Sequence, residues 1–210
     1  MGLLERRGKE KDNRKKNILK AARSLFFKKG FTKVTVDEIA KTSELGKGSI
    51  YLYFNSKEEI YAQILLNDID GFNEKVDVLL ERKSTAADLL KELSRLYIDY
   101  FLDDSELFRI LITYMLQPAK MNLTEKLNAE ILNAIARSID VIGSVLQMGV
   151  DTKEFSPELN IKKNQSAFWG LLNGIISLYV FSGSPVNRKE KIYSTTKLAL
   201  EIFVRGLQKA

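Results

Sequence analysis

Apolar residues recur at three- and four-residue spacing through most of the chain, and polar breaks separate the runs. The first stripe is Ile18, Ala22, Leu25 and Phe26, and Gly30 stands where such a helix would end. Thr35 lies three residues before Glu38, the spacing of a capping box, and predicts a short helix with Ile39 and Ala40 inward. Ser43-Glu44-Leu45-Gly46 breaks it. A second short helix is predicted from Lys47 to Phe54, with Ile50 and Phe54 inward and Lys47, Ser49, Leu52 and Tyr53 largely outside. Ser56 with Glu59 is another capping box and opens the next helix. Residues 1–12 mix charges without apolar period and are expected to be mobile.

Longer amphipathic segments follow. One runs from Lys57 to Arg82 on Ile60, Ile64, Leu65, Ile69, Phe72, Val76, Leu79 and Leu80. Ser84 or Thr85 caps the next, to Leu102. Ser105 opens a third, to Leu116, before a break at Pro118. A fourth spans Leu123 to Met148, ended by Gly149. Ser156-Pro157 is a start signal for a fifth, to Phe181. The last covers Lys189 to Leu207. No strand or hairpin pattern is present. The predicted fold is all-α, with a three-helix helix-turn-helix domain over residues 1–56, including a basic arm, and a second helical domain over 57–210.

Charge sharpens this division. Residues 1–60 hold 15 Lys and Arg against 8 Asp and Glu, a net +7, while the remaining 150 hold 18 against 19. All the excess positive charge therefore lies with the two short helices, which is the electrostatic footprint of phosphate binding. In a helix-turn-helix the second helix enters the DNA major groove by its N-terminal end. Gly46 and Gly48 there carry no Cβ and allow close backbone approach, Lys47 adds charge, and Ser49 adds a hydroxyl. Tyr51 and Tyr53 are long enough for one to pack and one to reach a phosphate. Lys57 sits in a first helical turn, where the macrodipole disfavours a cation, so a nearby phosphate would account for it.

The absence of Cys and His removes disulfides, thiol chemistry and imidazole catalysis. No nucleophile–base spacing is visible, so no enzyme, metal site or cofactor is expected. No apolar run follows the charged start, and a cytoplasmic location is expected. Ala167 to Phe181 is the most apolar segment but too short to cross a bilayer, so it reads as a buried helix and no membrane partner is expected. Phe101, Phe108, Tyr114 and Trp169, the only tryptophan, either line a pocket for an apolar ligand or simply fill core. Asn173 joins them as a polar candidate. Gly170 and Gly174, four apart, and the stripe Ile192, Leu198, Ala199, Ile202 and Phe203 predict a four-helix interface between two subunits through the last two helices.

The segments Thr35-Val36-Asp37-Glu38-Ile39-Ala40, Gly48-Ser49-Ile50-Tyr51-Leu52-Tyr53-Phe54 and Ser56-Lys57-Glu58-Glu59, with Gly30-Phe31 before them, resemble the DNA-binding domain of TetR-family transcriptional regulators. The specific match covers about 50 residues. The turn departs from the family pattern: Ser43-Glu44-Leu45 stands where Ala-Gly-Val is common, and Glu44 at positive φ would cost about 1 kcal/mol. The resemblance implies a homodimeric repressor that leaves its double-stranded DNA operator on binding a small, largely apolar molecule, with residues 57–210 as its helical regulatory and dimerisation domain. By motif position it implies DNA contacts from Thr35, Lys47, Gly48, Ser49, Tyr51, Leu52, Tyr53 and Lys57. The rival expectation is a DNA-binding regulator without a small-molecule effector, governed by a protein partner or by abundance.

Overall fold

In a computed structural model of the chain, residues 3–103, 105–116, 121–182 and 187–208 are described. Among them the fold is all-α. Its helices are α1 (Leu3–Lys29), α2 (Val36–Thr42), α3 (Lys47–Tyr51), α4 (Lys57–Leu80), α5 (Ala86–Asp103), α6 (Ser105–Leu116), α7 (Glu125–Asp151), α8 (Ile161–Ser182) and α9 (Arg188–Gln208), with a 3-10 turn at Phe31–Lys33. The expected break at Pro118 lies outside the described residues.

The chain divides into two compact units. The first holds Met1–Asp68 and Glu106–Leu132, the second Ile69–Ser105 and Asn133–Ala210. α4 is continuous through the point of division, and the expected boundary at 56/57 falls at its start.

In the first unit, Ile18, Ala22 and Phe26 of α1 pack with Phe31, Val34, Ile39, Ile50 and Phe54, all buried. Three helices this small bury too little apolar surface to stand alone. α4 and α6 supply the remainder. Tyr61 forms an aromatic triad with Phe26 and Phe31, with ring centres 5.0–5.5 Å apart. Its hydroxyl donates to the Ile110 carbonyl at 2.7 Å, and burial pushes the phenol pKa upward. Phe108 and Tyr114 are wholly buried in the same unit, and the Tyr114 hydroxyl donates to Asn128 Oδ1 at 2.7 Å.

In the second unit, α5, α8 and α9 pack on one another. Tyr97 is the aromatic centre, with Phe72, Phe101 and Trp169 around it at 4.6–5.7 Å. Glu154 caps α5 from 67 and 68 residues away, accepting from Ala87 N–H at 3.0 Å and Ala86 N–H at 2.7 Å. A carboxylate on those free N–H groups also satisfies the helix dipole. Thr85, one of the two expected caps, accepts from Asp88 N–H. α7 holds an 18-residue window apolar enough to cross a bilayer by length and composition, and 44% of that window is buried.

Several boundaries differ from expectation, each for a local reason. α1 begins at Leu3, so residues 3–12 continue the helix. α3 ends at Tyr51, not Phe54, because both Tyr53 and Phe54 N–H groups turn back to the Ile50 carbonyl. α7 starts at Glu125 rather than Leu123, since Thr124 accepts from Leu127 N–H as its cap. It also runs through Gly149 to Asp151. Gly149 is needed for packing, not termination: a Cβ there would lie 2.1 Å from the Phe155 ring. The reversal falls to Lys153, at φ 61°. Ser156-Pro157 forms a turn instead of opening α8, with Glu158 N–H donating to Ser156 Oγ. Asn160 is the actual cap, accepting from Lys163 N–H at 3.0 Å.

Candidate nucleic-acid interface

The predicted capping box at the start of α2 is present in full. Thr35 Oγ1 accepts from Glu38 N–H at 3.2 Å, and the Glu38 carboxylate accepts from Thr35 N–H at 2.9 Å. Lys29 donates to the same carboxylate at 2.6 Å. That bond, then the Thr35 backbone, holds the Glu38 carboxyl below the ordinary carboxylate range.

α2 ends in a Schellman motif. Leu45 N–H reaches the Ala40 carbonyl at 2.9 Å and Glu44 N–H reaches Lys41 at 3.3 Å. The residue between must be left-handed, and Glu44 is, with φ 57°. Ser43 Oγ takes up the Ile39 carbonyl at 2.8 Å. The turn is thus built at a position that favours glycine, with a glutamate in it.

α3 lies across this turn with Ile50 buried beneath it and its other residues outward. Gly46 and Gly48 are exposed, have ordinary negative φ, and nothing stands within 4 Å of a Cβ built on either. Glycine in a first helical turn weakens the helix. Neither backbone geometry nor packing within the chain requires it here, and the open surface admits close approach from outside. Lys47 is exposed and donates to Asp37 Oδ2 at 2.8 Å, which holds its pKa above the ordinary lysine value. Ser49 is half-buried. Tyr51 and Leu52 are 48% and 77% exposed, with Tyr53 partly covered. Two large apolar side chains in water at the end of a five-residue helix are suited to contact with another molecule.

Lys57 differs from its sequence-based rationale. Its ammonium donates to the carbonyls of Phe31 and Val34, each at 2.9 Å, and stands 4.3 Å from the centre of the Phe31 ring. The chain itself therefore accounts for a cation in that first turn. Two of three N–H groups are occupied, which leaves one for an external acceptor. The Ser56 cap is half reciprocal: Glu59 N–H donates to Ser56 Oγ, but the Glu59 carboxylate binds Asn55 N–H.

The five pocket candidates fall into two groups. Phe101, Trp169 and Asn173 gather around Tyr97, whose hydroxyl donates to Asn173 Oδ1 at 2.8 Å. Phe108 and Tyr114 belong to the first unit. Tyr97 was not among the candidates, although it stands one helical turn before Phe101. Burial pushes its phenol pKa upward. A separate groove of about 840 Å³ lies between α5 and α9, lined by Ile98 and Leu200 with Lys91, Arg95, Glu190 and Lys197 among its polar residues, and contains none of the five.

Residues 18–64 match the family described as "Bacterial regulatory proteins, tetR family". That segment of the chain, from late α1 into α4, therefore carries the tetR-family match. Similarity beyond the matched segment runs nearly end to end. The Fatty acid metabolism regulator protein of Bacillus subtilis (strain 168) is 23% identical over 95% of this chain and 98% of its own. A solved structure of FadR from Bacillus subtilis in complex with stearoyl-CoA superposes with a TM-score of 0.76 at 20% identity, covering 90% of this chain and 97% of the other. The TetR-family regulator PfmR from Thermus thermophilus gives 0.72 at 24% identity, covering 92% and 96%. The TetR-family match begins at Ile18, so the first fifteen residues of α1 precede it.

Proposed function

We propose that the protein is a homodimeric repressor that reads an operator with α3 and leaves it when a small, largely apolar ligand binds the second unit. The observation that carries this reading is the outward face of α3. An open pair of glycines, Lys47, Ser49, Tyr51 and Leu52 sit on a domain whose 60 residues hold a net +7. Thr35, Tyr53 and Lys57 flank that face as further contacts. Phosphate contacts from such a domain set register, and side chains at the α3 start read base edges.

Two identical reading heads explain how so short a helix achieves specificity, since dimers engage half-sites about 34–36 Å apart. The surface for pairing is the outer face of α8 and α9. Leu178, Leu198 and Ile202 are 57%, 60% and 65% exposed, and Gly170 and Gly174 are open. Of the remaining stripe, Ile192 turns inward and Phe203 packs on Phe168 at 5.5 Å.

The aromatic group around Tyr97, with Asn173 as its polar member, is the proposed ligand contact. Likeness to a fatty acid regulator and to a structure with stearoyl-CoA makes long-chain acyl thioesters the first class to test. Trp169 is the sole tryptophan, so its emission reports this site directly. Titration with stearoyl-CoA is expected to shift Trp169 emission and to weaken operator binding by about 5- to 150-fold, a coupling of about 1–3 kcal/mol. Release with no change in Trp169 emission would move the site elsewhere, and an unchanged operator affinity would remove this ligand class.

A further inference from the structure

Residues 8–17 of α1 are rich in charge and largely exposed. Residues 1–17 hold seven Lys and Arg against three Asp and Glu, four of the seven net charges found in residues 1–60. From residue 8 to residue 17 every side chain is exposed except that of Lys15, which is half-covered. This stretch precedes the TetR-family match.

Its cations are arranged in two lines. Lys11, Arg14 and Lys15 lie at i, i+3 and i+4, and the next positions on that line, Ile18 and Ala22, are the buried ones. The line thus continues the face of α1 that packs on the helix-turn-helix. The contacts agree: the Lys15 ammonium lies 5.5 Å from the centre of the Phe54 ring. Arg14, beside it on the line, donates to the Glu10 carboxylate at 2.6 Å. Lys9, Lys16 and Lys20, all exposed, form the opposite line.

We infer that the Lys11–Arg14–Lys15 line is a second DNA contact, bound to the phosphates that flank the operator next to the Tyr53 end of the α3 segment. This rests on the reading of α3 as the DNA-reading helix. Fifteen residues of helix before Ile18 extend about 22 Å at 1.5 Å per residue. At 3.4 Å per base pair that is about six pairs of flanking duplex. The partner is a polyanion of regular spacing, recognised by charge and not by sequence. The contact adds affinity and salt dependence without changing which bases are read.

The test uses the full-length protein, a duplex core selected by it from a random pool, and that core with eight further base pairs on each side. Affinity is measured by anisotropy across a salt series. The wild type binds the longer duplex about 10-fold more tightly at low salt. In the Lys11→Gln, Arg14→Gln, Lys15→Gln variant that preference disappears, and the slope of log K against log salt flattens by up to about 2.7 per chain, about 0.9 per lost phosphate contact. Its discrimination between selected and scrambled cores is unchanged. The Lys9→Gln, Lys16→Gln, Lys20→Gln variant loses the same charge from the opposite line and keeps both the preference and the slope. Equal loss in both variants, or no loss in the first, overturns the inference while leaving the α3 reading intact. A wild-type protein that selects no core sequence at all overturns that reading, and the inference with it.

Discussion

Glu44 carries a backbone conformation that glycine takes without strain, and the cost is measurable. Replacing it by Gly should make the protein about 1 kcal/mol more stable than the Glu44→Ala variant, read from denaturant midpoints. The position stood out through the family resemblance alone, because Glu44 stands where that pattern commonly has glycine. The Glu38 carboxyl offers a second test. Its folded pKa is depressed by Lys29 and by Thr35. The stabilisation it brings is therefore complete above the unfolded value of about 4.3 and is lost as pH falls through the lower folded value. A Glu38→Gln variant should be less stable than wild type near pH 7, with the gap closing below about pH 4, measured as melting temperature against pH. Lys57 was legible as unusual but not as explained, because its partners are carbonyls 23 and 26 residues away, and carbonyls leave no trace in side-chain spacing.

Among the elements, α4 does the joining within the first unit. Lys57 fastens its start to the Phe31–Val34 segment, and Tyr61 fastens its next turn to α6. A Lys57→Met variant keeps the stem but takes a donor from two carbonyls, of which that of Phe31 retains the Val34 N–H, and should lose about 1–3 kcal/mol of stability by chemical denaturation. Gly149→Ala should also destabilise by about 1–3 kcal/mol, since the new methyl group must displace the buried Phe155 ring. These cases show what periodicity can and cannot read. The stripe of α4 was legible from its own sequence, and most of its members are buried. Gly149 and Ser156-Pro157 looked like stop and start signals because their local chemistry allows it. Their roles were decided instead by Phe155 and by a backbone bond from Ser156 N–H to the Leu207 carbonyl, both contacts with later sequence. The α3 end was missed for the opposite reason: Phe54 is buried, as periodicity required, but outside the helix.

For the whole molecule, the proposal depends on pairing, reading and release. An Ile202→Glu variant places a charge on the open face of α9 without disturbing its buried residues. It should sediment as a monomer and bind a two-half-site operator at least 10-fold more weakly, while retaining its helix content. The all-α architecture and the basic N-terminal unit were legible from stripe phase and charge distribution. The grouping around Tyr97 was only half legible, because residues 97, 101, 169 and 173 meet through packing of α5 with α8. The most direct measurement is an anisotropy titration of a selected duplex and a scrambled one at 150 mM salt, with wild type and Gly48→Asp. Open space surrounds residue 48, so the variant should fold as the wild type does. The account predicts at least a 1,000-fold preference of the wild type for the selected duplex, within the range of specific regulators, and loss of that binding in the variant. Equal wild-type affinity for both duplexes, or undiminished binding by Gly48→Asp, would contradict it.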